Sequence, residues 1–338
     1  MRNRCQSENG FTMVEVLVSI SVISILIALT LPAVQSARES ARKVHCANNL
    51  HQLGIAIHGY HSLHDVFPIT STHDLNKAPY YGGFYSIHTR LLPFLDQTPL
   101  YNAINYEVGA WVFSPLVGEP GFSWQNAANA VNATARQTTI ATFLCPSESS
   151  PLVNSGTTYR GSQGVGPAFL QQFEHPDSGN GIFSMFGPVR MAQVSDGLSH
   201  TAAMSEKVIG SGRPERLDPF RDAYRMVEAA YTADDLLLAC RLSARTDPER
   251  PGFAIGGDSW FFSGMEMTGY NHAQKPNGPI PDCFIGSRTL IGMATARSYH
   301  LGGVHLLMAD GATRFVVETI DQQVWRGLGT RNGREIIE

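Results

Sequence analysis

The sequence predicts an α+β protein in which one long N-terminal helix leads into a large, mainly antiparallel β domain. The first observation is an apolar run of 24 residues, Phe11 to Val34, followed by an amphipathic stripe that continues to His64. The second is composition: 32 glycines and 19 prolines against only 16% charged residues suit a loop-rich β domain better than a helical one. At 338 residues the chain has room for more than one domain by the usual prior of about 100–200 residues each. Its net charge of −4 and the lack of any dense Lys/Arg block exclude the electrostatic footprint of a nucleic-acid binder.

As a helix, Phe11–Val34 is roughly 36 Å long at about 1.5 Å per residue, enough to cross a bilayer. Arg2 and Arg4 precede it, so the positive-inside preference puts the N-terminus in the cytoplasm and the following chain outside. No small-x-small cleavage site of a secretory signal lies around Leu31 to Ala37. A plain signal anchor leaves Glu15 unexplained, a carboxylate at the fifth position of the run. Read together, Gly10-Phe11-Thr12-Met13-Val14-Glu15 resembles the class III signal of type IV prepilins and pseudopilins. That resemblance implies a leader of residues 1–10, cleavage by prepilin peptidase after Gly10, and methylation of the new amine on Phe11. It makes residues 11–34 a transmembrane and assembly helix. The chemistry is legible in the residues, because the amine on Phe11 is positive and Glu15, one turn on, is negative. A buried unpaired charge costs several kcal/mol, so bundled apolar helices need both charges partnered. The resemblance implies that Glu15 of one subunit neutralises the Phe11 amine of a neighbour. Pro32 lacks an N–H and is expected to bend or open the helix where pilins often kink.

Residues 35–66 continue the helix with a polar face. Ala37, Ala41 and Val44, then Leu50, Leu53, Ile57, Tyr60 and His64, recur at helical spacing, and the helix should stop before Pro68. His45, His51, His58, His61 and His64 crowd this stretch. No Asp or Glu joins them on one face, so they read as a histidine-rich polar face, and neither metal nor cofactor is expected there.

Further along, Glu39 to Pro68 contains Cys46-Ala47-Asn48-Asn49-Leu50 and ends in Phe67-Pro68. Phe143-Leu144-Cys145-Pro146-Ser147 follows, then Asp196-Gly197-Leu198-Ser199-His200-Thr201 with Glu206, Pro276-Asn277 with Cys283, and Ser298 to Gly311. This ordered set resembles the large planctomycete-type family with a prepilin N-terminus and a DUF1559 body. Leu301 stands where proline is usual and His200 where asparagine is common. The resemblance implies a pilin-like α+β fold, with the helix packed on an exported β-rich head over residues 67–338. It also implies an inner-membrane location and other pilin-like subunits as partners.

Cys5 precedes the apolar run, leaving Cys46, Cys145, Cys240 and Cys283 on the exported side, which permits two disulfides in three pairings. Cys46 with Cys145 would tie head to helix, and Cys240 with Cys283 would tie a helical excursion to the following loop. Each would close a long loop worth about 4–5 kcal/mol in the chain-entropy model. Leu75 to Arg136 reads as loops and short strands, with Leu91 to Leu95 a local helix or strand. Residues 213–250 hold 15 charged residues and show helical periodicity over Phe220 to Ala230 and Ala233 to Ala244, which suggests that excursion with a solvated face.

Residues 298–320 carry His300 and, after nine intervening residues, Asp310-Gly311, the H-x9-D-G signature of the resembled family. Physically, Val304 to Ala309 is a strand, Asp310-Gly311 a turn signal, and Thr313 to Val317 a returning strand. The competing expectation is that His300 and Asp310 converge as a His–carboxylate pair or metal site. No Walker loop, H-E-x-x-H, G-x-S-x-G or dinucleotide fingerprint is present, so the chain is expected not to be an enzyme. The leading expectation is a pilin-like or pseudopilin-like structural subunit. An anchored module binding glycans or surfaces and an anchored metal-dependent hydrolase are the competing ones.

Overall fold

Helix α1, Met13–His64, organises the chain in the computed structural model. The model describes residues 12–70, 81–82, 85–108, 111–112, 131–167, 179–184, 187–226, 230, 232–246, 252–285 and 292–333. The chain divides into two compact units, residues 1–44 and 45–338.

Within the first unit, Thr12 and Glu15 start α1 as a reciprocal cap. The Thr12 backbone N–H donates to Glu15 Oε2 at 2.8 Å, and the Glu15 N–H donates to Thr12 Oγ1 at 3.3 Å. The polar residues of the apolar run are satisfied within the helix. Ser19, Ser21 and Ser24 donate to the carbonyls of Glu15, Leu17 and Ile20. The helix continues through Pro32 without a break. Among the described residues it is the one helix long and apolar enough to cross a membrane, by length and composition.

Within the second unit, Cys46, Asn49, Leu50, Leu53, Ala56 and Ile57 form the buried face of α1 at steps of three and four. They join a core with Phe67, Phe143, Tyr159, Phe183, Trp260 and Leu307. Gly54 lets the helix approach the C-terminal hairpin closely. A Cβ there would stand 2.9 Å from Leu307 Cδ1 and 3.4 Å from Gly311. Asp65, in the left-handed region at φ 57°, ends the helix, and its N–H returns to the carbonyl of His61.

The head is built on strands β1 (Tyr81–Gly82), β2 (Trp111–Val112), β3 (Tyr159–Ser162), β4 (Ala202–Glu206), β5 (Ala223–Arg225), β6 (Gly269–Tyr270), β7 (Asp282–Phe284), β8 (Gly292–Met293), β9 (Gly303–Met308) and β10 (Thr313–Val317). The main sheet has the order β10-β9-β4-β3-β6, a smaller one β5-β7-β8, and β1 pairs β2. Only β3–β6 and β5–β7 are parallel, so antiparallel pairing dominates among the described strands. All six residues of β9 are buried, as expected of a strand covered on both faces.

Short helices fill the connections: α2 (Ile87–Leu91), capped by Ser86 and followed by a 3-10 turn over Leu92–Leu95, α3 (Thr98–Asn102) and α4 (Ala133–Arg136). Helix α5 (Ala233–Thr246) lies where the second helical period was expected. The first is corrected. Phe220 to Ala230 contains β5, whose residues pair in parallel with Asp282, Cys283 and Phe284. Asp222 sets up that departure from helix by accepting the N–H groups of Ser211 and Asp218. The last helix, α6 (Gln322–Gly329), is capped by Asp321 and stacks Trp325 on His272, ring centroids 4.1 Å apart.

Two disulfides join Cys46 to Cys145 and Cys240 to Cys283. The first links α1 to the segment before β3, the second α5 to β7.

Leu53 is fully buried and Ile55, two residues on, is 59% exposed. Leu53→Ala should therefore destabilise the head by about 2–5 kcal/mol, and Ile55→Ala by no more than about 0.5 kcal/mol. Chemical denaturation of the detergent-solubilised chain measures both.

Candidate functional site

The chemistry-bearing residues of the head gather around one buried carboxylate. Glu206 ends β4, beside β9 in the main sheet, where Ser205 pairs with Leu306. Its side chain is 2% exposed and sits over the start of β9. The backbone N–H of His305 donates to Glu206 Oε2 at 2.7 Å, and His305 Nδ1 lies 3.2 Å from the same oxygen. From the other side, His300 Nε2 lies 3.2 Å from Glu206 Oε1. The same His300 nitrogen is 3.4 Å from Sγ of Cys145, whose sulfur is bonded to Cys46 on α1. One carboxylate thus bridges two histidines, and one of these touches a disulfide.

The turn before β9 aims His300 inward. Ser298 Oγ donates to the carbonyl of Gly303 at 2.7 Å and accepts the N–H of His300 at 3.1 Å. Gly302 takes φ 86°, which favours glycine there. The turn leaves Leu301 87% exposed while His300 is buried.

Burial by itself would raise the Glu206 carboxyl, but hydrogen bonds from His300 and His305, with the charges of those rings, outweigh it and hold it below the ordinary glutamate range. A second buried ion group lies next to it in sequence. Lys207 contacts Asp282, and Arg297 Nη2 stands 3.7 Å from Asp282 Oδ1. Burial lowers Lys207 to about 8, against the attraction of Asp282, and Arg160 and Arg297 push the same way as burial. Between the two groups lies a narrow opening lined by Cys145, Glu148, Glu206, Lys207, Arg297 and Tyr299 among others. Arg221 guards its rim, pairing with Glu148 at 2.7 Å and lying over the Tyr299 ring, 5.1 Å from its centroid.

The sequence-predicted residues fall in three places. Glu15 and Pro32 lie on the exposed apolar half of α1, while Gly10 and Phe11 lie outside the described residues. Cys46, Cys145, Cys240 and Cys283 form the two disulfides. His300 and Asp310 do not converge. The six-residue strand β9 separates them by on the order of 20 Å at about 3.3 Å per residue. Asp310 is exposed and accepts the N–H of Ala312 at 2.9 Å, and Gly311 completes the turn at φ 89°. His300 has a carboxylate partner after all, but it is Glu206. Of the α1 histidines, His45 and His51 are exposed, as on a polar face, while His61 packs against Phe67 and His64 against Tyr60.

Lys207, Asp282 and Arg297 carry no motif, and Glu206 appears in the sequence only as one position of an ordered set. The one local signal is a Glu-Lys pair one residue after the apolar run Ala202–Met204, charges too close to a buried strand to be a solvated face.

Comparison with known proteins gives two family matches. Residues 35–323 match a family described as a protein of unknown function (DUF1559), and residues 5–31 match the prokaryotic N-terminal methylation motif. No curated protein and no solved structure matches the chain.

Glu206→Gln should destabilise the head by about 3–5 kcal/mol at neutral pH, because two buried histidines lose their charged partner. The folded carboxyl titrates below its unfolded value of 4.5, so the unfolded chain binds more protons in that window and stability rises with pH across it. The gap in melting temperature between the native chain and Glu206→Gln should therefore be full above that value and close as pH falls below it. Thermal melts across an acidic pH series read this directly.

Proposed function

The chain belongs to the DUF1559 family and is a type IV pilin-like protein with a prepilin-type N-terminus, and on that premise we propose that it is a structural subunit of an inner-membrane-anchored filament or pseudopilus. In this reading prepilin peptidase cuts after Gly10 and methylates Phe11, and the processed chain stays in the membrane by its apolar helix with the head exported. Assembly then brings helices of neighbouring subunits together. The head is not an enzyme in this reading.

The observation that carries it is the first half of α1. Every residue from Thr12 to Arg38 is exposed, Met13 82% and Leu29 70% among them. Such a surface is too apolar for water and is covered by lipid or by other helices. Its single carboxylate, Glu15, is the feature a passive anchor does not need. Alone, Glu15 is held by Thr12, with the hydroxyl donating to Oε2 at 2.7 Å. The cap leaves its second oxygen for the amine of a neighbour, and the ion pair sets the stagger between subunits.

Glu15→Ala should leave membrane insertion intact and abolish incorporation into higher assemblies, scored by in-cell cross-linking and by shearing of surface material. Wild-type cross-linking by the variant would overturn the assembly role. Intact mass of the membrane-extracted protein supplies a separate check: it should show loss of residues 1–10 and one added methyl group, and a retained leader would overturn the processing step.

A further inference from the structure

We propose that the cluster Cys46, Cys145, Glu206 and His300 is a redox-gated zinc site: a disulfide when oxidised, a four-ligand site for a divalent borderline-soft cation when reduced. Among the described residues it is the one group of three or more His, Cys, Asp and Glu side chains whose ligand atoms converge, all within 4.8 Å of one another. The donor set, two thiolates, one imidazole nitrogen and one carboxylate oxygen, suits tetrahedral zinc.

The geometry is nearly complete in the disulfide form. A tetrahedral zinc with Zn–S of about 2.3 Å and Zn–N or Zn–O of about 2.0–2.1 Å holds its ligand atoms about 3.3–3.8 Å apart. Cys145 Sγ stands 3.4 Å from His300 Nε2, and His300 Nε2 stands 3.2 Å from Glu206 Oε1. The two bonded sulfurs must separate, and all four ligand atoms already lie within 4.8 Å of one another. The carboxylate is oriented in advance, since the His305 N–H holds Oε2 at 2.7 Å and leaves Oε1 facing His300. An outer partner of this kind is what fixes a metal ligand's direction. Cys145 and Glu206 also line the opening beside Tyr299, which gives a small ion a route in.

The exchange balances as follows. A dithiol gives two electrons and two protons to the Cys46–Cys145 bond and leaves as its own disulfide, producing two thiols. Binding of one Zn²⁺ then displaces both thiol protons, and thiol–disulfide exchange with a disulfide oxidant, which takes up the two electrons and leaves as two thiols, re-forms the Cys46–Cys145 bond and expels the ion.

The test uses the full chain in detergent, reduced without oxygen by a trialkylphosphine, freed of metal by a chelator and titrated with Zn²⁺ or Co²⁺. The expected result is one equivalent bound by the reduced protein and none by the oxidised one. Co²⁺ should give a thiolate-to-metal charge-transfer band and the intense visible absorption of a tetrahedral centre. Cys46→Ser/Cys145→Ser should abolish binding, and Glu206→Gln and His300→Gln should weaken it by at least about tenfold. Alkylation mapping keeps the test decisive if a variant fails to fold. In the reduced native chain, labelling of Cys46 and Cys145 should fall when Zn²⁺ is added, while labelling of the fully buried Cys240 and Cys283 should be the same with and without it. Absence of the Co²⁺ thiolate band, equal binding by the double serine variant, or Zn²⁺-dependent protection of Cys240 and Cys283 instead would overturn the proposal.

Discussion

The head depends on a negative charge buried in its interior. Glu206 has hydrogen-bonding partners on β9 and in the turn before it, so one side chain fixes the end of β4, the start of β9 and the inward direction of His300. Because removing either partner strands a charge in the interior, these elements are coupled far more tightly than strand pairing alone would couple them. The Cys46–Cys145 bond extends that coupling to α1. Helix, sheet and turn therefore share one polar anchor.

The long helix was legible because its signals are local. An apolar run, a stripe at steps of three and four, and a stop before Pro68 all lie within a few turns of each other, and the β9–β10 hairpin with its Asp310-Gly311 turn is equally local. The carboxylate site was not legible in the same way. Glu206, His300 and Cys145 come from distant stretches, and only sheet order brings them together. Placing His300 with Asp310 failed on arithmetic that strand geometry supplies: residues joined by a fully extended strand are held apart by it. Phe220 to Ala230 misled for a related reason, since a short apolar spacing fits helix and strand alike until a partner strand is known, and the residues of β7 that pair with β5 lie 59 positions on.

The two halves of α1 follow opposite solvation rules. Up to Val34 nearly every side chain is apolar and exposed, the serines turn their hydroxyls back onto the helix, and the single carboxylate binds its own N-cap. From Cys46 onward the helix buries one face and shows the other. The resulting element presents an exposed apolar surface at one end and contributes a buried face to the core of the head at the other.

The position of Cys46 has a mechanical consequence. It lies close to the start of the head unit, and its partner is 99 residues further along the chain. A pull transmitted along the polypeptide from the N-terminal side meets that covalent bond almost as soon as it enters the head. The load then passes directly from Cys46 to Cys145 and on towards β3. The intervening loop, with the rest of α1 and the short helices α2 to α4, is bypassed, so hydrophobic packing of the helix never has to bear the tension alone.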